Sequence, residues 1–475
     1  MAGGDCEEEE QQTPLLQTSP HKLTGNVWTA LAHIITGVIG SGVLSLAWSM
    51  AQLGWIAGPL SLLIFAFFTL VSASFICDVH LYANPNNGTT TMNRSYLQAV
   101  QTILGELLLL NLNIHLQLAY LLFSTLISGN KNGLVCGCLV YFSIFKTGVV
   151  YTITSAISMR AIRQSNCYHK EGHEGDCEYE DTYYMLVFGI VQIAASQIPN
   201  IFHTKWLSII AATMSFTYSF IGMGLGLAQV IGQGKIEGSI SGISTTNPAQ
   251  KVWLVAQALG DIAFSFTFSL ILLEIQSTLK SPPSQKETMK KASTIAIFTT
   301  SLFYLCCGGS GYAAFGDSTP GNLLTGFGFY EPFWLIDFGN ACIVVHLVGG
   351  YQIYSQTLFA IVERWYAEKF PESVLTRDVG RVNPLRLCFR TTYVILTMAV
   401  GMIFPYFNQV VAFAGSVIFW PLTIYFPVEM YFVQKKVVPW SANWILLRIY
   451  SLFCLIVTLY ILAGSIQGLI TLRFG

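Results

Sequence analysis

The sequence predicts an all-α polytopic membrane protein of about eleven transmembrane helices, and three observations carry that prediction. First, 53% of its 475 residues are hydrophobic and only 10% are charged, with a mean hydropathy of +0.55. A soluble chain of this length would form roughly two or three domains and cover them with about 25% charged residues. Second, the apolar residues gather into runs of about 20, the length a helix needs to cross a ~30 Å hydrocarbon core. The runs fall at 27–50, 55–79, 134–162, 182–202, 206–232, 252–277, 292–314, 332–362, 388–404, 407–432 and 444–472. Each is expected to be helical, because lipid offers backbone N–H and C=O groups no other partner. Third, the 41 glycines suit close helix packing in a membrane.

What precedes and joins these runs is polar. Residues 1–26, with Glu7 to Glu10, lack the apolar core of a signal peptide and read as a disordered cytosolic tail; residues 27–475 form the transmembrane domain. A net charge of −1 gives no support to nucleic-acid binding. Walker A, GxSxG and HExxH motifs are absent, as are Cys/His clusters with metal spacing, so no ATP-driven, hydrolytic or metal chemistry is indicated. Most of the eleven cysteines lie inside apolar runs and read as small hydrophobes. Cys167 and Cys177 share one polar loop, 165–181, and could form a disulfide if that loop faces an oxidising side.

Lysine and arginine set the orientation. Lys280, Lys286, Lys290 and Lys291 follow span six, Arg364, Lys369, Arg377, Arg381 and Arg386 follow span eight, and Lys435 and Lys436 follow span ten. Loop 315–331, between two of these, carries none. The basic loops are therefore assigned to the cytoplasm. Counting back over eleven spans puts the N-terminus inside, Cys167 and Cys177 outside, and the sequons at Asn87 and Asn93 inside, unused. Residues 107–130 are a further apolar stretch interrupted by Asn111, Asn113, His115 and Gln117. They read as an interfacial or re-entrant segment; as a full span they would reverse the parity upstream.

Candidate chemistry lies in spans one and six. Thr36-Gly-Val-Ile-Gly-Ser-Gly42 packs three glycines and a serine into seven residues, and each glycine costs a helix about 1 kcal/mol relative to alanine. Either the cluster permits close helix packing, or it unwinds and offers free N–H groups to a substrate carboxylate. Gly260-Asp-Ile-Ala-Phe264 in span six puts a carboxylate in an apolar helix. Asp261 is either near the outer end and solvated, or a proton or amine site. Breaks five spans apart are what two inverted five-helix repeats would produce. His33 and His346 are each either a proton relay or a neutral histidine bonded to a backbone carbonyl. Glu274 and Glu429 read as partners of nearby cations. Lys146, deep in span three, needs a carboxylate partner or loses its proton.

Residues Leu23 to Trp48 (LTGNVWTALAHIITGVIGSGVLSLAW) resemble the opening of the plant amino acid permeases, in the amino acid/auxin permease family. So do Gln197-Ile-Pro-Asn200, Gly260-Asp-Ile-Ala-Phe264, Glu274-Ile-Gln276, Tyr312-Ala-Ala-Phe-Gly316, Gly339-Asn-Ala-Cys342 and the run from Phe419 to Met430, so that the likeness covers nearly the whole chain. The resemblance implies eleven helices with a cytoplasmic N-terminus, a five-plus-five inverted-repeat core, and proton-driven uptake of amino acids across the plasma membrane without a bound cofactor. A facilitator, an auxin-type carrier and a non-transporting sensor are the alternatives. Carried over, Gly37, Ile39, Gly40, Ser41, Gly42 and Val43 should receive the substrate carboxylate. Gly260, Asp261, Ile262, Ala263 and Phe264 should help bind the amine and side chain. Asp261, His33 and His346 are the candidates for the proton.

Two features depart from the family pattern. Deleting 107–130 would join Glu106 to Lys131 and restore it (LGE–KNGLVCG), which points to a retained intron or an incorrect gene model; in-frame coding of the stretch in every full-length transcript would refute that. A small residue usually stands where this chain has Lys146, which bears on activity and substrate charge, one use being to attract acidic substrates.

Overall fold

The computed structural model describes residues 25–83, 88, 90–104, 131–198, 205–328, 332–373 and 383–474. The acidic segment 7–10 and the atypical stretch 107–130 lie outside the described residues.

Helix α1 (Val27–Val38) starts where Asn26 can cap it: the Asn26 side chain accepts from the N–H groups of Trp28 and Thr29, and the Thr29 hydroxyl accepts from Asn26 N. The glycine cluster ends it. A 3-10 turn (Ser41–Ser45) follows, then α2 (Leu46–Asp78). Gly54 interrupts α2 with φ 84°, a left-handed value that only glycine adopts at no steric cost. The chain bends there between the first and second crossings. A short hairpin of β1 (Leu81–Ala83) and β2 (Thr90–Met92) leads to α3 (Tyr96–Leu104). Crossings three to five are α4 (Lys131–Glu171), α5 (Asp181–Ser196) and α6 (Lys205–Gln233).

Crossing six is broken as crossing one is. Helix α7 (Pro248–Ser265) stops, a 3-10 turn (Ser269–Ile271) intervenes, and α8 (Leu272–Gln276) resumes. Crossings seven to nine are α9 (Gln285–Phe315), α10 (Phe333–Lys369) and α11 (Pro384–Ile403). Crossing ten joins α12 (Phe407–Ile418) to α13 (Phe426–Lys435) through a π-helical stretch (Phe419–Tyr425), and α14 (Ala442–Phe474) is crossing eleven.

Among the described residues, nine helical stretches are long and apolar enough to cross a membrane. One of them, Ser41–Asp78, holds two crossings joined at Gly54, and the 16-residue α5 adds another, which accounts for eleven. Helix α2 packs along α9 and α4 along α10, so the pairs that a five-plus-five repeat would relate meet at the centre. The ion pairs sit near helix ends and loops: Asp78 with Lys286 and Lys290, Arg160 with Asp181, Glu363 with Arg386 and Arg390, and Glu429 with Arg448. Glu429 thus has the cation expected for it. Glu274 does not: none of the lysines that follow it pairs with it among the described residues. Cys167 and Cys177 are joined by a disulfide with Cα atoms 5.8 Å apart.

Candidate functional site

The break in crossing one draws hydroxyls from other crossings onto its backbone carbonyls, in addition to the N–H groups of Gly40 on Val38 O and of Val43 on Gly40 O. Tyr304 donates to Val38 O at 2.7 Å, Ser215 to Ile39 O at 2.8 Å, Tyr218 to Gly40 O at 3.0 Å and Tyr354 to Gly37 O at 3.5 Å. Tyr304 also reaches Ser265 O, at 3.2 Å, so one phenol ties the two breaks together. These bonds matter because an unpaired buried carbonyl costs about 1–3 kcal/mol. The donors are not treated so. Ser41 and Gly42 open the 3-10 turn, where the first N–H groups have no partner within the helix.

Ser41 and Gly42 line a cavity of about 640 Å³ of space between atoms, its open mouth included. Gly37, Val38, Gly40, Ser41 and Gly42 form one wall and residues 264–271 another. Crossing three contributes Ser143, Lys146, Thr147 and Tyr151, spaced 3, 4 and 8 residues from Ser143 and so on one helical face. Tyr354 of crossing eight, Ile418 at the end of α12, and Leu422 and Thr423 of the π-helical stretch complete it. That stretch has its own repair: a π turn would bond Leu422 O to the N–H of residue 427, which is a proline, and the Tyr96 hydroxyl donates there instead at 2.6 Å. Gly42 allows the two breaks to touch, since a Cβ there would lie 2.5 Å from Ser265 Oγ and 3.1 Å from Ser265 Cα.

Not every candidate residue reaches the cavity. Gly37, Gly40, Ser41, Gly42 and Phe264 line it, whereas Ile39, Val43, Gly260, Asp261, Ile262 and Ala263 do not. Gly260 packs its helix against Ala412 of crossing ten. Asp261 is fully buried rather than solvated. Its Oδ2 accepts from Asn408 Nδ2 at 2.9 Å and its Oδ1 has no partner. The hydroxyls of Ser45 and Ser49 lie beside it while donating to the carbonyls of Gly42 and Ser45. His346 is 2% exposed. Its Nδ1 lies 2.9 Å from Ala211 O and 2.8 Å from the Ser215 hydroxyl. Because Ala211 O only accepts and Ser215 gives its proton to Ile39 O, Nδ1 carries the hydrogen and Nε2 is a bare, unpartnered acceptor toward Gly40. His33 is exposed on α1 and lines no part of the cavity. The residues missed from sequence are the hydroxyls Ser215, Tyr218, Tyr304 and Tyr354, for which the sequence carries no signal, and Ser143, Thr147 and Tyr151, whose helical spacing with Lys146 in an apolar run was the available signal.

The profile of the transmembrane amino acid transporter protein family matches residues 23–471. The chain is 54% identical over 466 residues to probable amino acid permease 7 of Arabidopsis thaliana, covering 95% of this chain and 94% of that protein. It is 48% identical to amino acid permease 3 of the same plant, over 95% of this chain and 92% of the relative, and 28% identical to lysine histidine transporter-like 6, over 93% and 90%. Among solved structures it is similar to MhsT in complex with L-phenylalanine, with a TM-score of 0.52 and 12% identity over 92% of this chain and 98% of that one, a likeness of fold. With helices broken at the first and sixth crossings around one cavity, and relatives of this kind along nearly its whole length, the chain belongs to the transmembrane amino acid transporter family, among the plant amino acid permeases.

Proposed function

We propose that this protein is a proton-coupled symporter that carries amino acids into the cell across the plasma membrane. The observation that carries the reading is the cavity shared by both breaks, lined by Ser41 and Gly42, whose N–H groups have no partner within the 3-10 turn. These groups suit the α-carboxylate of an amino acid. The wall from the sixth crossing, residues 264–271, takes its ammonium group and side chain. The proton gradient supplies the work, and no cofactor takes part.

Asp261 is the group we assign to the proton. It is buried between crossings one, six and ten with a single donor, Asn408, and no cation. A proton there removes a charge that no cation balances among the described residues. Ser45 couples it to the substrate: its hydroxyl now serves Gly42 O and can swing to Oδ1 when Asp261 is ionised, changing the wall of the cavity. His346, with a bare Nε2 toward Gly40, is the next candidate. The basic loops after spans six, eight and ten support a cytoplasmic N-terminus, and the disulfide-bonded loop suits the outer face.

Uptake of labelled glutamate and glutamine in transport-deficient yeast tests this. Accumulation should rise as external pH falls and vanish with a protonophore. Equilibration that ignores the protonophore would indicate a facilitator, and binding without accumulation a sensor.

A further inference from the structure

Lys146 brings the cavity an amine that, when protonated, has no anion beside it among the described residues. It is 6% exposed and is the only charged side chain lining the cavity among the described residues. It forms no ion pair there. Its Nζ lies 4.4 Å from the centroid of the Phe264 ring, and on the same helix the Thr147 hydroxyl donates to the Ser143 carbonyl at 2.8 Å. Asp261 and Glu274 do not line the cavity. A buried ammonium without an anion is costly, and a ring face offsets only part of that cost.

A neutral amino acid does not correct the imbalance. It brings one carboxylate and one ammonium, and its carboxylate goes to the N–H groups of Ser41 and Gly42. A second carboxylate, on the side chain, supplies the missing anion within the same cavity. We propose that Lys146 is a specificity-determining residue that receives the side-chain carboxylate of a dicarboxylic amino acid, so that the site selects anionic side chains over their neutral amides. This rests on the reading that an amino acid sits between the two breaks. Phe264 covers one side of the ammonium and leaves its N–H donors for a carboxylate.

Glutamate and glutamine have nearly the same shape and differ in charge, so equilibrium binding of each to the purified full-length protein isolates the effect. Wild type should bind glutamate at least about tenfold more tightly, the factor expected when one charge-assisted hydrogen bond is lost. Lys146→Met should bring the ratio close to one, with its glutamine affinity reporting an intact site, and Lys146→Arg should keep glutamate ahead. Equal affinities in wild type, or a glutamate preference that survives in Lys146→Met, would overturn the proposal. So would glutamine binding that depends on chloride with no glutamate preference, which assigns Lys146 to an inorganic anion. Uptake by the same variants separates the two readings: a protein that binds glutamate over glutamine through Lys146 but accumulates neither keeps this inference and removes the symport.

Discussion

At the scale of single residues, the site is a division of labour between acceptors that are satisfied and donors that are left free. Asp261 accepts from Asn408, has the Ser45 and Ser49 hydroxyls beside it and pairs with no cation among the described residues, so replacing it with asparagine removes a carboxyl that can be loaded in the dry centre of crossing six. Acid-stimulated accumulation in Asp261→Asn should fall at least about tenfold, which is ~1.4 kcal/mol at the transition state. Changing His33 or His346 to glutamine should cost less in the same assay, least of all at His33, which stands outside the cavity. Wild-type accumulation by Asp261→Asn would remove that residue from the mechanism. Gly42 is the second test. A methyl there meets Ser265 Oγ at 2.5 Å, so Gly42→Ala should push the two breaks apart and reduce substrate affinity at least about tenfold. Unchanged affinity would show that the breaks do not jointly hold the substrate. Asp261 and Gly42 were legible in the sequence because a carboxylate and clustered glycines are conspicuous in apolar helices. The hydroxyls of Ser215, Tyr218 and Tyr304 were not, because which carbonyl each one meets depends on how distant crossings pack.

Broken helices are the elements that define this fold, and each break must be held open by something. In crossing one the clamp is made of hydroxyls, and Tyr304 is its most connected member because it serves Val38 and Ser265 together. Tyr304→Phe should therefore lower the stability of the purified protein by about 1–3 kcal/mol, the cost of leaving the Ser265 carbonyl without its hydroxyl, since Val38 O keeps the Gly40 N–H. Thermal unfolding in detergent measures this; an unshifted transition would mean that water or the backbone takes over the Ser265 carbonyl. The break in crossing one could be expected from Gly37, Gly40 and Gly42. The one in crossing six was less visible, since only Gly260 marks it and Gly260 itself lies in regular helix, five residues before the helix ends at Ser265. There the chain leaves the helix through Phe266 and Thr267, ordinary residues whose release is a tertiary effect. The short α5, at 16 residues, and the bend at Gly54 show the limit of counting by length alone: apolar runs read from the sequence separated these crossings correctly, although neither is set off by a long helix of its own.

For the whole molecule, topology was the most legible property, because the hydrocarbon core imposes one length on every crossing. What the runs do not encode is the relation between halves: the pairing of α2 with α9 and of α4 with α10 follows from packing. Orientation is a prediction at this scale. Single cysteines introduced at Glu174, beside the disulfide, and at Lys436, past crossing ten, should react with an impermeant thiol reagent from outside and only after permeabilisation, respectively. The reverse pattern would invert the protein in the membrane. The most direct test of the central claim is accumulation of labelled glutamate by the purified full-length chain in sealed liposomes with an imposed pH gradient, acidic outside. A symporter concentrates the amino acid above its external level only while the gradient lasts, and acidifies the lumen as it does so; equal levels on both sides, with or without the gradient, would contradict proton coupling.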